Sequence, residues 1–141
     1  MAKSGPIIVV EDDEDDVIFL KDILKQLEVG NPLIWFTNSA EALSYLKTTT
    51  DKPFFILSDV NLPMQNGIEF KRQIDLDPDL RRRSIPFIFY STSVAQAYVN
   101  EAYSQMSVQG FFQKGNDFRE IQTTIETLIN YWSLSKHPTL Q

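Results

Sequence analysis

Two kinds of segment alternate along this chain. Short, wholly apolar runs rich in β-branched and aromatic residues are followed by segments in which apolar residues recur at spacings of three and four. A short continuous apolar run is typical of a strand buried on both faces, whereas the three-and-four spacing is typical of an amphipathic helix. The pattern therefore predicts strands and helices in strict alternation.

Five apolar runs predict strands, each bounded by turn-forming residues. They are Ile7–Val10, Leu33–Phe36, Phe54–Leu57, Pro86–Tyr90 and Val108–Phe112. None approaches the roughly 20 apolar residues that a membrane-spanning helix needs.

Five helices are predicted after these strands. The second is predicted from Asn38 through about Lys47. The other four are marked by apolar residues on one face: Val17, Leu20, Leu24 and Leu27 in the first; Ile68, Phe70, Ile74 and Leu76 in the third; Val94, Ala95, Tyr98, Val99 and Ala102 in the fourth; and Phe118, Ile121, Ile125, Leu128 and Trp132 in the last. Asn38 with Glu41, and Asp117 with Glu120, have the spacing of a capping box. Pro78 is expected to end the third helix.

Strand–helix alternation with strands apolar throughout predicts an α/β domain, a parallel sheet covered by helices on both faces. A length of 141 residues suits one domain over 1–141, with its core over about 6–132 and a frayed C-terminal tail over 133–141. In such a sheet, ligands bind at the carboxyl ends of the strands.

Composition narrows the function. The net charge of −6 argues against binding of nucleic acid or of an anionic membrane surface. The chain has no cysteine, so it has neither disulfides nor thiolate metal sites. It runs from Met1 almost directly into the first strand, without the features of a signal peptide, and we expect a cytoplasmic protein.

Polar side chains follow four of the predicted strands. Glu11 to Asp16 are all acidic, Asp59 follows the third strand, Ser91 and Thr92 the fourth, and Lys114 the fifth. Carboxylates gathered at one edge repel each other by roughly 4 kcal/mol per pair at 4 Å and an effective dielectric near 20, and they raise their own pKa values. Mg²⁺, a hard cation that prefers oxygen ligands, would relieve this repulsion, so Glu11, Asp12 and Asp59 predict a magnesium site.

A carboxylate can form an aspartyl-phosphate where a metal and a cation offset the phosphoryl charge. Lys114 would supply the cation, and Ser91 a hydrogen bond to a phosphoryl oxygen. Each residue also has an ordinary interpretation. Lys114 could be a surface lysine and Ser91 a helix cap, while Asp13 could cap the first helix and residues 14–16 favour its dipole.

Four blocks of the sequence resemble the signature blocks of response-regulator receiver domains from bacterial two-component systems. They are Val9–Asp13, Ser58–Pro63, Tyr90–Ser93 and Phe112–Lys114. The resemblance spans about residues 6–132 and implies a flavodoxin-like sheet of order 2-1-3-4-5. It also implies a stand-alone regulator that is phosphorylated by a histidine kinase or a phosphotransfer protein, and that is not an enzyme beyond slow self-dephosphorylation.

The same resemblance assigns roles to individual residues. Asp59 would be the phospho-acceptor, Asp12 a direct metal ligand, Glu11 a ligand through water, and the Asn61 backbone carbonyl a further ligand. Ser91 and Phe111 would be switch residues and Lys114 the phosphate-sensing cation. Output would be a contact with a downstream protein, or a homodimer, through the fourth predicted helix, the fifth strand and the last helix, which carry Tyr98, Tyr103, Tyr131 and Trp132. The Tyr131-Trp132 ending and the acid-rich first loop are similar to regulators of bacterial phytochrome kinases.

Three residues depart from the family pattern. Gly115 stands where the family usually has proline, which predicts a more mobile loop and a less firmly held Lys114. Thr92 replaces a smaller residue and is expected to narrow access to Asp59. Ser91 replaces the commoner threonine.

Three other functions are alternatives to that of a phosphorylated receiver domain. A dehalogenase-like phosphohydrolase needs an acid two residues after its nucleophile, where this chain has Asn61. A flavodoxin-like cofactor binder needs a phosphate-binding loop after the first strand, where this chain has six acids. A receiver-like binding module that takes no phosphate would retain the fold without the chemistry.

Overall fold

The computed structural model describes residues 2–92 and 95–138. Its centre is a parallel sheet of five strands in the order β2-β1-β3-β4-β5, which confirms the predicted fold class. The strands are β1 (Ile7–Val10), β2 (Leu33–Phe36), β3 (Phe55–Ser58), β4 (Phe87–Ser91) and β5 (Gly110–Gln113).

Helices cover both faces of the sheet. They are α1 (Glu14–Gln26), α2 (Ser39–Thr48), α3 (Gly67–Leu76), α4 (Pro78–Arg83), α5 (Gln96–Gln105) and α6 (Phe118–Leu134), preceded by a 3₁₀ turn over Ala2–Ser4. Over residues 2–92 and 95–138, no helix is both long and apolar enough to cross a bilayer.

The prediction of five helices is corrected to six. Pro78 does end α3, as predicted, but it also begins α4, because the fixed φ of proline suits the first position of a helix. The Asp77 side chain accepts hydrogen bonds from the backbone N–H groups of Asp79 and Leu80. Leu80 is buried against the sheet, so α4 closes the core between α3 and β4.

The predicted strand bounds are correct for β1 and β2 and one or two residues early for the other three. β3 and β4 extend to Ser58 and Ser91, which pair with Val10 and Gln113 respectively. An apolar pattern stops at the last apolar residue, whereas the ladder of backbone hydrogen bonds continues into the polar edge. Of the fourth predicted helix, Ala95 is the N-cap, and Val94 lies outside the described residues.

The core consists of two apolar clusters, one on each face of the sheet. In β1, Ile7 and Val9 pack with α1 and α6, while Ile8 and Val10 pack with α2 and α3. Because successive strand residues point to opposite faces, both sets must be apolar. This burial on two sides accounts for the unbroken apolar runs in the sequence.

Side chains cap the helices as their spacing predicts. The carboxylate of Asp13 accepts from the backbone N–H of Asp15 at the start of α1. Asn38 accepts from the N–H of Glu41 and Asp117 from that of Glu120, both at 2.9 Å. These caps fix where α1, α2 and α6 begin relative to the strands that precede them.

The prediction of a frayed tail over 133–141 is wrong for residues 133–134, which end α6, and for the segment around His137. His137 is 1% exposed, and its Nε2 lies 2.6 Å from the carbonyl oxygen of Phe54. Its ring also contacts those of Phe54 and Trp132, with centroids 6.0 Å apart in each pair. This part of the tail therefore packs against the amino-terminal end of β3, while Thr139 lies outside the described residues.

We expect His137→Ala to lower the free energy of unfolding by about 2 kcal/mol, since it removes a buried ring and a hydrogen bond. Lys136→Ala, at an exposed neighbouring position, is the matched control. Burial lowers the pKa of His137 from 6.5, so the folded state binds fewer protons than the unfolded state. The contribution is complete above pH 6.5 and is lost as the pH falls through the folded-state pKa.

Urea titrations of both variants between pH 5 and pH 8 measure this effect, with the ordinary histidine pKa of about 6.5 inside the range. The difference between wild type and His137→Ala should shrink below that value. Equal losses in the two variants would show that the tail contributes no specific contact.

Candidate functional site

Parallel pairing brings the predicted site residues to one edge of the sheet. Glu11 and Asp59 directly follow β1 and β3, whose last residues pair. Lys114 follows β5, and its backbone N–H donates to the carbonyl oxygen of Ser91 at 2.9 Å. The four segments that resemble receiver signature blocks therefore meet, as predicted.

Asp59 is 7% exposed, and both of its carboxylate oxygens are engaged. Oδ1 accepts from the Ser91 hydroxyl at 2.7 Å and from the Asn61 backbone N–H at 3.0 Å. Oδ2 lies 3.0 Å from the ammonium of Lys114. Ser91 is thus a partner of Asp59, and its alternative interpretation as a helix cap is wrong, because Ala95 holds that position in α5.

Gly67 allows α3 to approach Asp59 closely. A Cβ at this position would lie 2.1 Å from the Asp59 carbonyl oxygen, which no side chain tolerates. The Gly67 N–H donates to the carbonyl oxygen of Val60 at 2.8 Å. Any other residue would push α3 away and move the backbone that carries Asp59.

The carboxylates of Glu11, Asp12 and Asp59 form a cluster in which each offers an oxygen within 4.8 Å of the others. Glu11 and Asp59 are buried, while Asp12 is exposed, so the cluster opens to solvent on one side. An all-oxygen donor set with room for water suits Mg²⁺. Asn61 lies beside this cluster, since its backbone N–H donates a hydrogen bond to the carboxylate of Asp59.

Burial raises the pKa of Glu11 from 4.5 to about 7, and the charge of Asp59 adds to this effect while Lys114 opposes it. The sequence predicted a raised pKa from repulsion among carboxylates. For Glu11 the direction is confirmed, but desolvation is the larger cause. Near neutral pH, this metal-free carboxyl is therefore partly protonated.

Lys114 is the cation of the site. Its ammonium pairs with Glu11, with Asp16 at 2.7 Å and with Asp59 at 3.0 Å. Burial opposes its charge, but the hydrogen bonds to Asp16 and Glu11 outweigh burial, so the pKa of Lys114 lies above its usual range. Three carboxylates therefore surround Lys114, and the expectation that Gly115 holds it less firmly than proline would stays a prediction.

A steric constraint explains why residue 115 is a glycine. A Cβ here would lie 2.4 Å from the Cβ of Glu120, so the loop passes α6 at a distance that only glycine permits. The mobility expected of this loop, and the narrowed access expected from Thr92, stay predictions.

Two contacts were missed from the sequence. Asp16 was assigned with its neighbours to the α1 dipole, and only its place in the first turn of α1, at the correct end of the sheet, hinted at its contact with Lys114. The Trp35 indole N–H donates to the carbonyl oxygen of Glu11 at 2.7 Å. In the sequence, Trp35 is one apolar residue of a predicted strand, so nothing there predicts its hydrogen bond to Glu11.

The aromatic residues predicted for the output surface divide into two groups. Tyr98, Tyr103 and Tyr131 are 36%, 55% and 59% exposed, whereas Trp132 is buried and belongs to the core. Phe111 is half-buried, with its ring 5.2 Å from that of Phe89. Three of the tyrosines on α5 and α6 are therefore exposed, and their membership of one output surface stays a prediction.

Several known proteins are similar to this chain in sequence and fold. Response regulator Rcp1 from Synechocystis is 26% identical over 131 residues, covering 89% of this chain and 87% of that protein. The crystal structure of the phosphorylated cyanobacterial phytochrome response regulator RcpA is 25% identical, with a TM-score of 0.84 and coverage of 94% and 97%. The Mn²⁺-bound form of Rcp1 is 25% identical, with a TM-score of 0.83 and coverage of 94% and 98%.

The family model for the response regulator receiver domain matches residues 7–126. That stretch contains the five described strands and the site residues from Glu11 to Lys114. The chain belongs to the response regulator receiver domain family of two-component signalling.

Proposed function

We propose that this receiver domain takes a phosphoryl group on Asp59 from a histidine kinase or a phosphotransfer protein in the cytoplasm, with Mg²⁺ as cofactor. The observation that carries the proposal is the setting of Asp59. Its carboxylate lies between the Ser91 hydroxyl and the Lys114 ammonium, beside two further carboxylates. A nucleophile, a hydrogen-bond donor, a cation and metal ligands are thus in one place.

In the proposed reaction, an Asp59 oxygen forms a bond to phosphorus, and the bond from phosphorus to the donor atom breaks. The donor atom leaves with the electron pair. The Ser91 hydroxyl donates a hydrogen bond to a phosphoryl oxygen and keeps its proton, and Lys114 balances part of the negative charge. Mg²⁺, when held by Asp12, Asp59 and the Asn61 carbonyl and by Glu11 through water, would offset the remaining charge.

Two of the comparisons support the chemistry. A relative of 25% identity is described in its phosphorylated form, and another in its Mn²⁺-bound form. Since the phosphorylated relative is a phytochrome response regulator, a phytochrome kinase is the phosphoryl donor we propose for this chain.

The site offers little for hydrolysis of the phosphorylated product. Asn61, two residues after Asp59, has a carboxamide where a phosphohydrolase needs a carboxylate to activate water. Self-dephosphorylation should therefore be slow, and the domain acts as a phosphoryl acceptor and not as a phosphatase.

The proposed output depends on Ser91 and Lys114, which would exchange hydrogen-bond partners when Asp59 is phosphorylated. Ser91 ends β4 and Lys114 follows β5, so drawing both toward a phosphoryl group moves the loops before α5 and α6. Phe111 lies on β5 between these loops. We propose that the surface of α5, β5 and α6 then binds a downstream protein or a second copy of the chain.

Incubation with acetyl phosphate and Mg²⁺ should add one phosphoryl group per chain, measured by intact mass. Asp59→Asn and chelation of the metal should each abolish the addition. Asp51→Asn, an exposed site distant from the edge, is the control and should label normally. Label that persists in Asp59→Asn would overturn the assignment, and no label in wild type would favour the phosphate-independent binding module.

Mg²⁺ binding should release protons near pH 7. A metal ligand must be deprotonated, and Glu11 has a pKa of about 7 in the metal-free site. Because this pKa is raised from 4.5, the carboxyl stabilises the metal-free fold fully below pH 4.5, and that contribution is lost as the pH rises through about 7. Mg²⁺ affinity should accordingly increase from pH 6 to pH 8.

Calorimetry in buffers of different ionisation enthalpy measures this release, expected at about half a proton near pH 7 and almost none at pH 9. Glu11→Gln should remove the pH dependence, whereas Asp15→Asn should retain it. A pH-independent affinity in wild type would show that Glu11 is ionised before the metal binds.

Ser91→Ala should still be phosphorylated, since the hydroxyl is not the nucleophile, but it should transmit the change weakly. Amide exchange with and without beryllofluoride would report this as reduced differences over residues 95–134. Ser91→Thr keeps the hydroxyl and should respond like wild type. A full response in Ser91→Ala, or changes confined to α1 and α2, would contradict the proposed route of output.

A further inference from the structure

We infer that Asp16 is a positioning residue that competes with the phosphoryl group for Lys114 and so destabilises the phosphorylated state. The inference rests on the proposed function. It assigns to the first turn of α1 a part in setting how firmly the domain holds its phosphoryl group.

The ammonium of Lys114 has a fixed number of hydrogen-bond donors. A lysine ammonium has three N–H groups, and in the described part of the chain Lys114 uses them on Glu11, Asp16 and Asp59. A phosphoryl oxygen is a further acceptor. Phosphorylation converts the Asp59 carboxylate into an acyl phosphate, and in the proposed site Glu11 is drawn to the metal, so Asp16 is the carboxylate that still competes with the phosphoryl group for Lys114.

Exposure shows which partner is released most easily. The side chain of Asp16 is 30% exposed, whereas those of Glu11 and Asp59 are 5% and 8% exposed. A released carboxylate that remains buried loses both water and its partner, at a large energetic cost. Asp16 regains water, so it is the partner that Lys114 gives up.

Local geometry permits this exchange. Asp16 and Lys114 border a cavity of about 50 Å³ together with Tyr90 and Thr92, which gives water room to enter as the pair separates. Asp16 itself cannot move far, because α1 is held against α6, where the rings of Phe19 and Phe118 meet at 6.2 Å. Its negative charge therefore stays close to the phosphorylated edge.

Asp15 provides the matched control. It carries the same charge on the same helical turn, and its backbone N–H binds the cap residue Asp13. Its side chain is exposed. Removing the charge of Asp15 reproduces the change in net charge and in the α1 dipole, but it leaves the pair between Asp16 and Lys114 intact.

The experiment titrates beryllofluoride at saturating Mg²⁺ into wild type, Asp16→Asn, Asp16→Glu and Asp15→Asn. We expect Asp16→Asn to bind about fivefold more tightly than Asp15→Asn, the upper range for a partly exposed ion pair. The half-life of the phosphoprotein formed with acetyl phosphate should lengthen in the same variant. Asp16→Glu should return toward wild type.

Each alternative result is decisive. Equal affinities in Asp16→Asn and Asp15→Asn would reduce the effect to net charge and overturn the inference. Weaker binding in Asp16→Asn would mean that Asp16 holds Lys114 in place for the phosphoryl group, which is the opposite role. If wild type binds no beryllofluoride and takes no phosphoryl group, the proposed function fails first, and the inference falls with it.

Discussion

The site depends on one buried ammonium placed among more carboxylates than it can neutralise. Lys114 pairs with Glu11, Asp16 and Asp59 in a place largely shielded from water. Two carboxylates at about 4 Å repel by roughly 4 kcal/mol at an effective dielectric near 20, so a single cation leaves the cluster with excess negative charge. This excess raises the affinity for a divalent cation, and the cation in turn makes an anionic phosphoryl group acceptable there. In the proposed function, metal binding therefore comes before phosphorylation, because the divalent cation offsets the negative charge that the phosphoryl group adds.

The fold makes this arrangement possible by bringing distant segments together. Lys114 and Glu11 are 103 residues apart in the chain, and only the parallel order of the strands places both at the carboxyl edge of the sheet. Two glycines refine the geometry. Gly67 lets α3 approach Asp59, and Gly115 lets the loop after β5 pass Glu120. The apolar clusters on both faces hold these elements in fixed positions, so the charges cannot relax apart.

Features with a local cause could be predicted from the sequence, and features with a tertiary cause could not. The caps Asn38 and Asp117 act on residues three positions away, and the place of Asp59 follows from the end of an apolar run. By contrast, His137 is buried against Phe54, 83 residues earlier, and no periodicity in the tail indicates this partner. Asp16 and Asp15 look alike in the acidic run, since only the rotation of α1 about its axis decides which carboxylate faces Lys114. Pro78 was correctly identified as a helix end, but proline serves equally as a helix start.

A switch requires two states of similar free energy, and the polar groups at this edge can supply them. Ser91 has one hydroxyl proton, which it donates to Asp59 at 2.7 Å; in the proposed reaction that proton must turn to a phosphoryl oxygen. Lys114 would likewise exchange one of its carboxylate partners for a phosphoryl oxygen. Each exchange would replace one negatively charged acceptor with another. The two exchanges are also coupled, because the backbone N–H of Lys114 donates to the carbonyl oxygen of Ser91. In the proposed switch, a shift of either residue would therefore displace the other through this bond, and β4 and β5 would move together.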